Sequence, residues 1–429
     1  MTLRVALVVG ALLLAGCGGG AGAGASAASV APPDTLGFVE VDTDLESDQW
    51  QAVQELMDRF PNRPQLVELL NEQLREESLE YERDVAPALG ETVAFVFNGA
   101  DEEDLVVLTQ PDDDAKFDAL IAELEEQGDD DLVTGEVDGW RAASESQALI
   151  DALADADGSL AEDDAFEAAL DEAPDERLAF GFVRGELAND LPEYASSVDA
   201  EWVSTSVEAR ENGPAASFVV RGANATTGEA YTSDRVGQAP EDALAFLSFN
   251  GESLRSQTSL LAPLAQLLGA RIDDVLEGIQ GEGALWVRPG GGLPEVTLVV
   301  ETSDADGVRS ALERLLPELP LPVKVGVVDG NVVATTGPSP EAALDNGGQS
   351  LGDSEDFKDA VEAAGMPDET SGFLFVDVAD ALGLLTLAEV AGADVPDELV
   401  DNLRPIRSVM AWSETEGDSS TGALFVEIQ

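Results

Sequence analysis

The chain of 429 residues contains no histidine, only three lysines and a single cysteine, Cys17. The absence of histidine excludes a Ser-His-Asp triad, a Cys-His pair and histidine-ligated zinc. A lone cysteine cannot form an internal disulfide, so burial and hydrogen bonds must stabilise the fold. None of Lys116, Lys324 and Lys358 follows a serine by three positions, so a serine nucleophile with a lysine base is not indicated. These absences predict a protein that is not an enzyme and holds no cofactor.

Positive charge is scarce, with 21 Lys and Arg against 87 Asp and Glu and a formal net charge of −66 at pH 7. Nucleic-acid binding is excluded, because phosphates are neutralised by clustered basic side chains. An anionic membrane surface would repel the same charge. Self-repulsion opposes compaction at low ionic strength, whereas about 1 M salt shortens the Debye length to ~3 Å. The charge therefore predicts adaptation to high salt or to high pH.

One apolar run, Val5–Leu14, lies near the start of the chain and is too short for the roughly 20 residues of a membrane span. Arg4 precedes it and small residues follow it, which is the order of a secretory signal peptide. The run ends in Leu14-Ala15-Gly16-Cys17, which resembles the lipobox of bacterial lipoproteins. The resemblance implies cleavage between Gly16 and Cys17 and lipidation of Cys17 with acyl chains such as palmitate. It also implies anchoring to the cell membrane on its extracytoplasmic side.

The rest of the chain is predicted to form a tether and two domains. Residues 17–33 are mostly Gly, Ala and Ser without charge, a composition typical of a flexible linker. Two domains are expected because single cores stop growing near ~250–300 residues. The predicted segments are the signal peptide at 1–16, the tether at 17–33, a first domain at 34–236 and a second at 237–429.

The two domains are predicted to be copies of one unit, because segments 191 positions apart match in order. Val93–Phe97 matches Ala284–Arg288, and both predict a buried strand rich in β-formers. An Asp-Gly pair occurs in both halves, at Asp138-Gly139 and Asp329-Gly330, and predicts a tight hairpin turn. The other matches are Leu105–Leu108 with Val296–Val299, Phe166 with Phe357, Phe180–Val183 with Phe373–Val376, and Ser217–Val220 with Leu424–Glu427.

Each half also contains a predicted amphipathic helix, with apolar residues at i, i+3, i+4 and i+7. Asp113 and Asp304 precede these helices where a capping carboxylate is expected. Strand pairs joined by short turns predict an α+β fold, a tandem duplication of a unit with a mainly antiparallel sheet and helices packed on one face. The apolar helix positions are Phe117, Leu120, Ile121 and Leu124 in the first half, and Val308, Ala311, Leu312 and Leu315 in the second.

Several local patterns, together with the lipobox, resemble an uncharacterised bacterial lipoprotein family known only as a domain of unknown function. These patterns are Pro33-Asp34-Thr35, Phe60-Pro61 in a helix, and Ala88-Leu89-Gly90-Glu91 before a strand. The resemblance implies an exported, lipid-anchored protein. It implies no activity, ligand or catalytic residue.

Carboxylates are the remaining candidates for chemistry, as the acid and base of a glycosidase or as ligands of a divalent cation. Asp42 and Asp44 follow a predicted strand and could chelate a metal; a polar strand end is the alternative. Asp304 and Asp306 lie in a loop with partial calcium-binding spacing, for which helix capping is the alternative. No metal is assigned to either pair. The tryptophans are scattered along the sequence, and Trp140, directly after a turn, is expected to be among the more open ones.

The sequence therefore predicts a lipid-anchored extracytoplasmic lipoprotein with a non-catalytic binding or structural role in the envelope. Its contact with the membrane is expected through the lipid only, with a protein or glycan as an unspecified partner. Two alternatives are a solute-binding lipoprotein of an importer and a carboxylate-dependent glycan hydrolase. A cleft holding two acids with separated pKa values would favour the hydrolase, and a deep pocket lined by Trp140 or Trp202 would favour ligand binding.

Overall fold

The fold is known from a computed structural model that describes residues 26–76, 79–127, 132–190, 200–222, 228, 230–251, 278–291, 294–315, 322–390 and 396–429. The predicted signal peptide, the cleavage site at Gly16, the lipidation site Cys17 and the start of the predicted tether lie outside these residues. The described residues form two compact units that part between Val220 and Arg221. This division comes before the predicted end of the first domain at residue 236. The backbone of Tyr231 already pairs with that of Thr370, which belongs to the second unit.

Each unit contains eight β-strands, and neighbouring strands run antiparallel. The first unit contains β1 (Gly37–Asp42), β2 (Thr92–Phe97), β3 (Leu105–Thr109), β4 (Val133–Val137), β5 (Trp140–Ser144), β6 (Ala179–Arg184), β7 (Trp202–Arg210) and β8 (Gly213–Arg221). The second contains β9 (Ala245–Asn250), β10 (Glu282–Arg288), β11 (Glu295–Val300), β12 (Lys324–Val328), β13 (Asn331–Thr335), β14 (Gly372–Asp377), β15 (Ile406–Glu416) and β16 (Ser419–Ile428).

The strand order is the same in both units. It runs β4-β5-β3-β2-β1-β6-β7-β8 in the first and β12-β13-β11-β10-β9-β14-β15-β16 in the second. The predicted hairpins join β4 to β5 and β12 to β13, with positive φ at Asp138 (46°), Gly139 (85°), Asp329 (50°) and Gly330 (84°). Such angles belong to the tight turn that suits the twist of antiparallel strands. The α+β class is confirmed, while the tandem duplication stays a prediction that the shared strand order favours.

The helices of the first unit are α1 (Asp48–Met57), α2 (Arg63–Glu76), α3 (Ala86–Leu89), α4 (Asp114–Gln127), α5 (Gln147–Ala154), α6 (Asp164–Asp171) and α7 (Gly185–Asp190). Those of the second are α8 (Ala305–Leu315), α9 (Pro340–Ala343), α10 (Glu355–Ala364), α11 (Val378–Val390) and α12 (Asp397–Leu403). The predicted caps are confirmed, because Asp113 accepts from the backbone N–H of Ala115 and Asp304 from that of Gly307. Within the described ranges, no helix has both the length and the apolar composition needed to cross a membrane.

Helices pack on both faces of each sheet, which differs from the expected single face. In the second unit, α10 places Phe357 against Phe373 and Phe375, whereas α8 packs against Val300 and Val332 on the opposite face. In the first unit, α6 packs against Phe38 and Phe182. Arg141 alternates in β5 with Trp140 and Ala142, which belong to that core, so its side chain is on the opposite face, where it contacts α4. Both sides of the central strands are apolar, so each needs a covering layer.

The end of the predicted tether is part of the first unit, which corrects its expected extent. Residues Ala27–Ser29 form a 3₁₀ turn, and Ala27, Ala28 and Ala31 are fully buried. The backbone N–H of Leu160 donates to the Ala31 carbonyl at 2.8 Å, and Glu40 accepts from Ser26 and Ala27. These small apolar residues belong to the core of the first unit, so a linker-like composition here serves packing.

Candidate functional site

The candidate site lies at the carboxyl end of β1, where the chain turns into α1. Ser47 caps α1 by accepting from the Trp50 backbone N–H, and its hydroxyl donates to the Asp42 carboxylate at 2.6 Å. The Trp50 indole N–H donates to the Asp42 carbonyl at 2.8 Å, and the Thr43 hydroxyl donates to the Gly90 carbonyl at 2.8 Å. These bonds fix the backbone of the turn and therefore the directions of the two carboxylates it carries.

A cleft of about 270 Å³ opens at this turn. Arg177 is the basic residue on its wall, but its guanidinium donates to the Pro174 carbonyl and lies 5.3 Å over the Phe180 ring. The cleft is therefore strongly acidic. Its acidic lining residues are Glu40, Asp42, Asp44, Asp48, Glu91, Asp175 and Glu176.

Asp42 is the most perturbed of these carboxyls. Burial raises the pKa of Asp42 to about 6, and the charges of Asp44 and Glu91 act in the same direction. The hydrogen bonds from Ser47 and from the Asp44 backbone N–H oppose this rise. Burial disfavours the charged form more than two hydrogen bonds favour it, so Asp42 exchanges its proton near neutral pH.

Two polar atoms beside Asp42 are buried and have no hydrogen-bond partner among the described residues: Asp44 Oδ2 and the Tyr81 hydroxyl. The other oxygen of Asp44 accepts from the Glu46 backbone N–H at 2.9 Å. Tyr81 is only 8% exposed, and its burial, together with the charges of Asp42 and Asp44, raises the pKa of its hydroxyl. The hydroxyl therefore stays protonated and lies within electrostatic range of both carboxylates.

Tyr81 begins a π-helical turn, Tyr81–Val85, that leads directly into α3. Asp84 fixes this turn, because its carboxylate accepts from the Glu80 backbone N–H and pairs with Lys116 of α4 at 3.0 Å. The Arg83 guanidinium, with Lys116, holds the pKa of Asp84 below its usual range. Single π turns inside helices occur frequently at functional sites.

The structure brings together one of the two predicted carboxylate pairs. Asp42 and Asp44 share the cleft, whereas Asp304 caps α8 and Asp306 pairs with Arg309 at 3.2 Å. Helix capping, the alternative for this loop, is therefore confirmed for Asp304. Among the described residues, no group of three or more His, Cys, Asp or Glu side chains is arranged to hold a metal ion.

The tryptophans do not form a ligand platform on the described surface. Trp140 is 2% exposed and Trp202 is 4% exposed, and both belong to the core of the first unit. The expectation of an open Trp140 is wrong, because the indole fills the core side of β5. Sequence reasoning missed Tyr81, since nothing in the sequence links a tyrosine to a carboxylate far ahead of it in the chain.

The second unit contains a larger depression, of about 900 Å³, at the opposite end of its first strand. Its walls include Asp242, Asp353, Asp356 and Arg288, and Arg288 pairs with Glu295 at 2.7 Å. No buried unpartnered polar side chain lines it within the described residues. Of these two depressions the Asp42 cleft is the better candidate, because its lining includes Asp44, one oxygen of which is buried without a partner among the described residues.

Comparisons with known proteins give no family. No family model matches the chain. No curated protein matches it either. Among solved structures, crystal forms III, I and IV of a protein named TP0453 are similar over 47%, 48% and 45% of this chain and 81% of that chain. Each is 8% identical, with TM-scores of 0.26, 0.26 and 0.25, and likeness at this level carries no argument about fold or function.

Proposed function

We propose that the chain is a lipid-anchored extracytoplasmic lipoprotein with a non-catalytic binding role, and that the Asp42 cleft is its binding site. The observation that carries the anchor is Leu14-Ala15-Gly16-Cys17, where the single cysteine stands at the modified position of a lipobox-like sequence. The signal-like run ahead of it supports export. Two or more acyl chains on Cys17 would make anchoring stable.

Packing of the leading segment of the first unit supports a short connection to the membrane. Ser26 bonds to Glu40, and it lies nine positions after Cys17. At ~3.3–3.6 Å per residue, the chain between them spans at most about 30 Å. The first unit would therefore be held close to the lipid, and the negative charge of its surface would keep it from adsorbing.

Replacement of Cys17 tests the anchor. We expect the wild-type chain in the membrane fraction and Cys17→Ser outside it, because serine cannot accept a thioether-linked lipid. Mass spectrometry of the amino-terminal peptide should find acyl chains on Cys17 in the wild type only. Cys17→Ser with Ser29→Cys restores a thiol outside the lipobox and serves as the control. Membrane retention of Cys17→Ser, or residues 1–16 still attached to the wild type, would contradict the proposal.

A glycan hydrolase is the second candidate, and the raised pKa of Asp42 favours it. A general acid works best with a pKa near the operating pH, and a value of about 6 meets that condition. The test is release of reducing ends from purified peptidoglycan between about pH 4 and 8. Activity that Asp42→Asn abolishes would favour the hydrolase, and the absence of release by the wild type would remove it.

A further inference from the structure

The outer strand of the second unit, β12, has backbone groups without a partner on its edge, the side that faces away from β13. Val328 and Asn331 close the two-residue turn between β12 and β13, and such a turn joins the Val328 carbonyl to the Asn331 N–H. Hydrogen-bonded and non-hydrogen-bonded pairs alternate along an antiparallel ladder, so the N–H and C=O groups of Val325 and Val327 point away from β13. Among the described residues, no backbone group bonds to them on that side.

Helices pack on the two faces of β12. On one face, Val325 packs against the core to which α8 belongs. On the other, Pro340 of α9 lies 2.9 Å from the position that a Cβ of Gly326 would occupy. Val327 remains 43% exposed. The edge therefore presents N–H donors and carbonyl acceptors in the pattern to which another extended strand can add.

The matching strand of the first unit, β4, has different residues at these positions. It has the same place in the strand order and the same two-residue turn, so Thr134 and Glu136 stand where Val325 and Val327 stand in β12. A charged side chain on an edge strand opposes pairing with another chain. Residues 319–328 contain no Asp or Glu, although 87 of the 429 residues of the chain are acidic. The repulsive charge of the chain is thus interrupted at β12.

The charges at the two ends of β12 favour a second copy of the same strand as its partner. Lys324 begins β12, and Asp329 directly follows it. When Val325 of one copy lies opposite Val327 of the other, Lys324 of each copy lies beside Asp329 of the other. A parallel pair would place the two lysines next to each other, and like charges there are destabilising. The sequence of β12 is therefore complementary to itself in the antiparallel direction.

We propose that two copies of the chain pair antiparallel through β12, with Val325 of each copy opposite Val327 of the other. Each of these residue pairs exchanges both of its backbone hydrogen bonds, and the arrangement has the two-fold symmetry that is commonest among oligomers. One strand from each copy makes a small interface, so association is weak. The formal charge of −66 on each copy opposes it at low salt. The proposal uses neither the Asp42 cleft nor the lipid on Cys17.

Sedimentation equilibrium of the full chain tests the proposal, in density-matched detergent with micelles in excess over protein. In about 1 M NaCl, where the Debye length is ~3 Å, we expect a monomer–dimer equilibrium. In about 0.1 M NaCl, dimerisation should be at least about tenfold weaker, because the two charged copies are less screened. Monomers alone at chain concentrations up to about 0.3 mM in the higher salt would overturn the proposal.

Variants of Val327 locate the contact. Val327→Glu gives β12 the residue type of Glu136, and Val327→Pro removes an N–H that makes no bond to β13. Each should weaken dimerisation by at least about tenfold, and the exposed edge position should tolerate both changes. Glu136→Pro, at the matching edge position of the first unit, is the control and should leave dimerisation unchanged. A dimer as strong in both Val327 variants as in the wild type, or one weakened equally by Glu136→Pro, would contradict the proposal.

The distance between two spin labels tests the register. Pro322→Cys places a label at an exposed position just before β12. In the proposed pairing the two labelled positions are about eight residues apart along the strands, or about 27 Å at ~3.4 Å per residue. Double electron–electron resonance measures this distance, and the wild-type chain treated with the same reagent controls for any label on Cys17. A parallel pair would bring the labels to about 5 Å, the spacing of neighbouring strands, and would overturn the proposal.

Discussion

The two units place different residues at the end of the same strand. In the first, β1 ends at Asp42 and continues through Thr43 to Asp44; in the second, β9 ends at Asn250, followed by Gly251. The strands occupy the same place in the order of their sheets. The first unit thus has a charged, partly buried turn where the second has an amide and a glycine, so the shared frame does not require the carboxylates.

The segments ahead of the first strands show the opposite relation, since their backbone hydrogen bonds agree although the side chains at 27–30 and 235–238 differ. The Ala27 carbonyl accepts from the N–H groups of Val30 and Ala31, and the Arg235 carbonyl accepts from those of Gln238 and Ala239. Leu160 then donates to Ala31, as Leu351 donates to Ala239. Backbone bonds that recur in both units belong to the shared fold, whereas the features found at one strand end alone are candidates for function.

The prediction with the largest expected effect concerns the segments that precede β1 and β9, and it tests whether they are equivalent parts of the two units. Ala31 and Ala239 are both 0% exposed, so Ala31→Asp and Ala239→Asp each bury an unpaired carboxylate. We expect each to lower the free energy of unfolding of its unit by about 3–5 kcal/mol, measured by urea unfolding at constant salt. Ser29→Asp, at an exposed neighbour, is the control. A flexible tether at residue 31 would instead give no effect for Ala31→Asp.

The next effect concerns the strand end where the units differ. The pKa of Asp42 is about 6 in the folded state and about 3.9 in an unfolded chain. At pH values between these two pKa values, the folded state binds more protons than the unfolded state. The free energy of unfolding therefore falls as pH rises from about 4 to 6 and stays reduced above pH 6. Asp42→Asn, the residue type found at 250, should therefore stabilise the first unit by about 1–2 kcal/mol at pH 8, after allowance for partial exposure.

The same substitution should have little effect near pH 4, where Asp42 is protonated in the folded state. Urea unfolding at pH 4 and pH 8 in about 1 M NaCl provides the measurement. Asp175→Asn, on the exposed wall of the cleft, controls for general relief of negative charge. An equal gain for the two variants at pH 8, or a gain for Asp42→Asn at both pH values, would contradict a specific cost of burying the Asp42 charge.

Much of the fold could be predicted from the sequence, because the sequence signals for its turns and helices are local. The Asp138-Gly139 and Asp329-Gly330 pairs supply the positive φ angles that a tight hairpin needs, and neighbouring residues decide this. The helix with Phe117 and Leu120 buries these side chains as its periodicity predicts. Leu66 shows the limit of such patterns: it follows the helical spacing of Leu66, Leu70 and Leu74 in α2, yet it is 38% exposed, because burial depends on what the helix meets.

The candidate site depends on long-range contacts, so only half of it could be predicted. Asp42 and Asp44 are visible as polar residues after a strand, but the raised pKa of Asp42 comes from burial by parts of the chain that are distant in sequence. Tyr81 lies within electrostatic range of the same carboxylates, and its π turn is fixed by Asp84 and Lys116. The buried Ala31 was missed for a related reason, since alanine is equally typical of a linker and of a tightly packed contact.

The smallest expected effect compares the two tyrosines, which should respond with opposite signs. Tyr81→Phe removes a buried hydroxyl without a described partner, so it should raise the free energy of unfolding by up to about 1 kcal/mol in the absence of ligand. Tyr231→Phe removes the hydroxyl that bonds to Ser248 at 2.8 Å and should lower it by about 1 kcal/mol. Thermal and urea unfolding of both variants in one buffer give the comparison. Loss of stability in Tyr81→Phe as large as that in Tyr231→Phe would mean that the Tyr81 hydroxyl has a structural partner, and the expected contrast between the two tyrosines would be wrong.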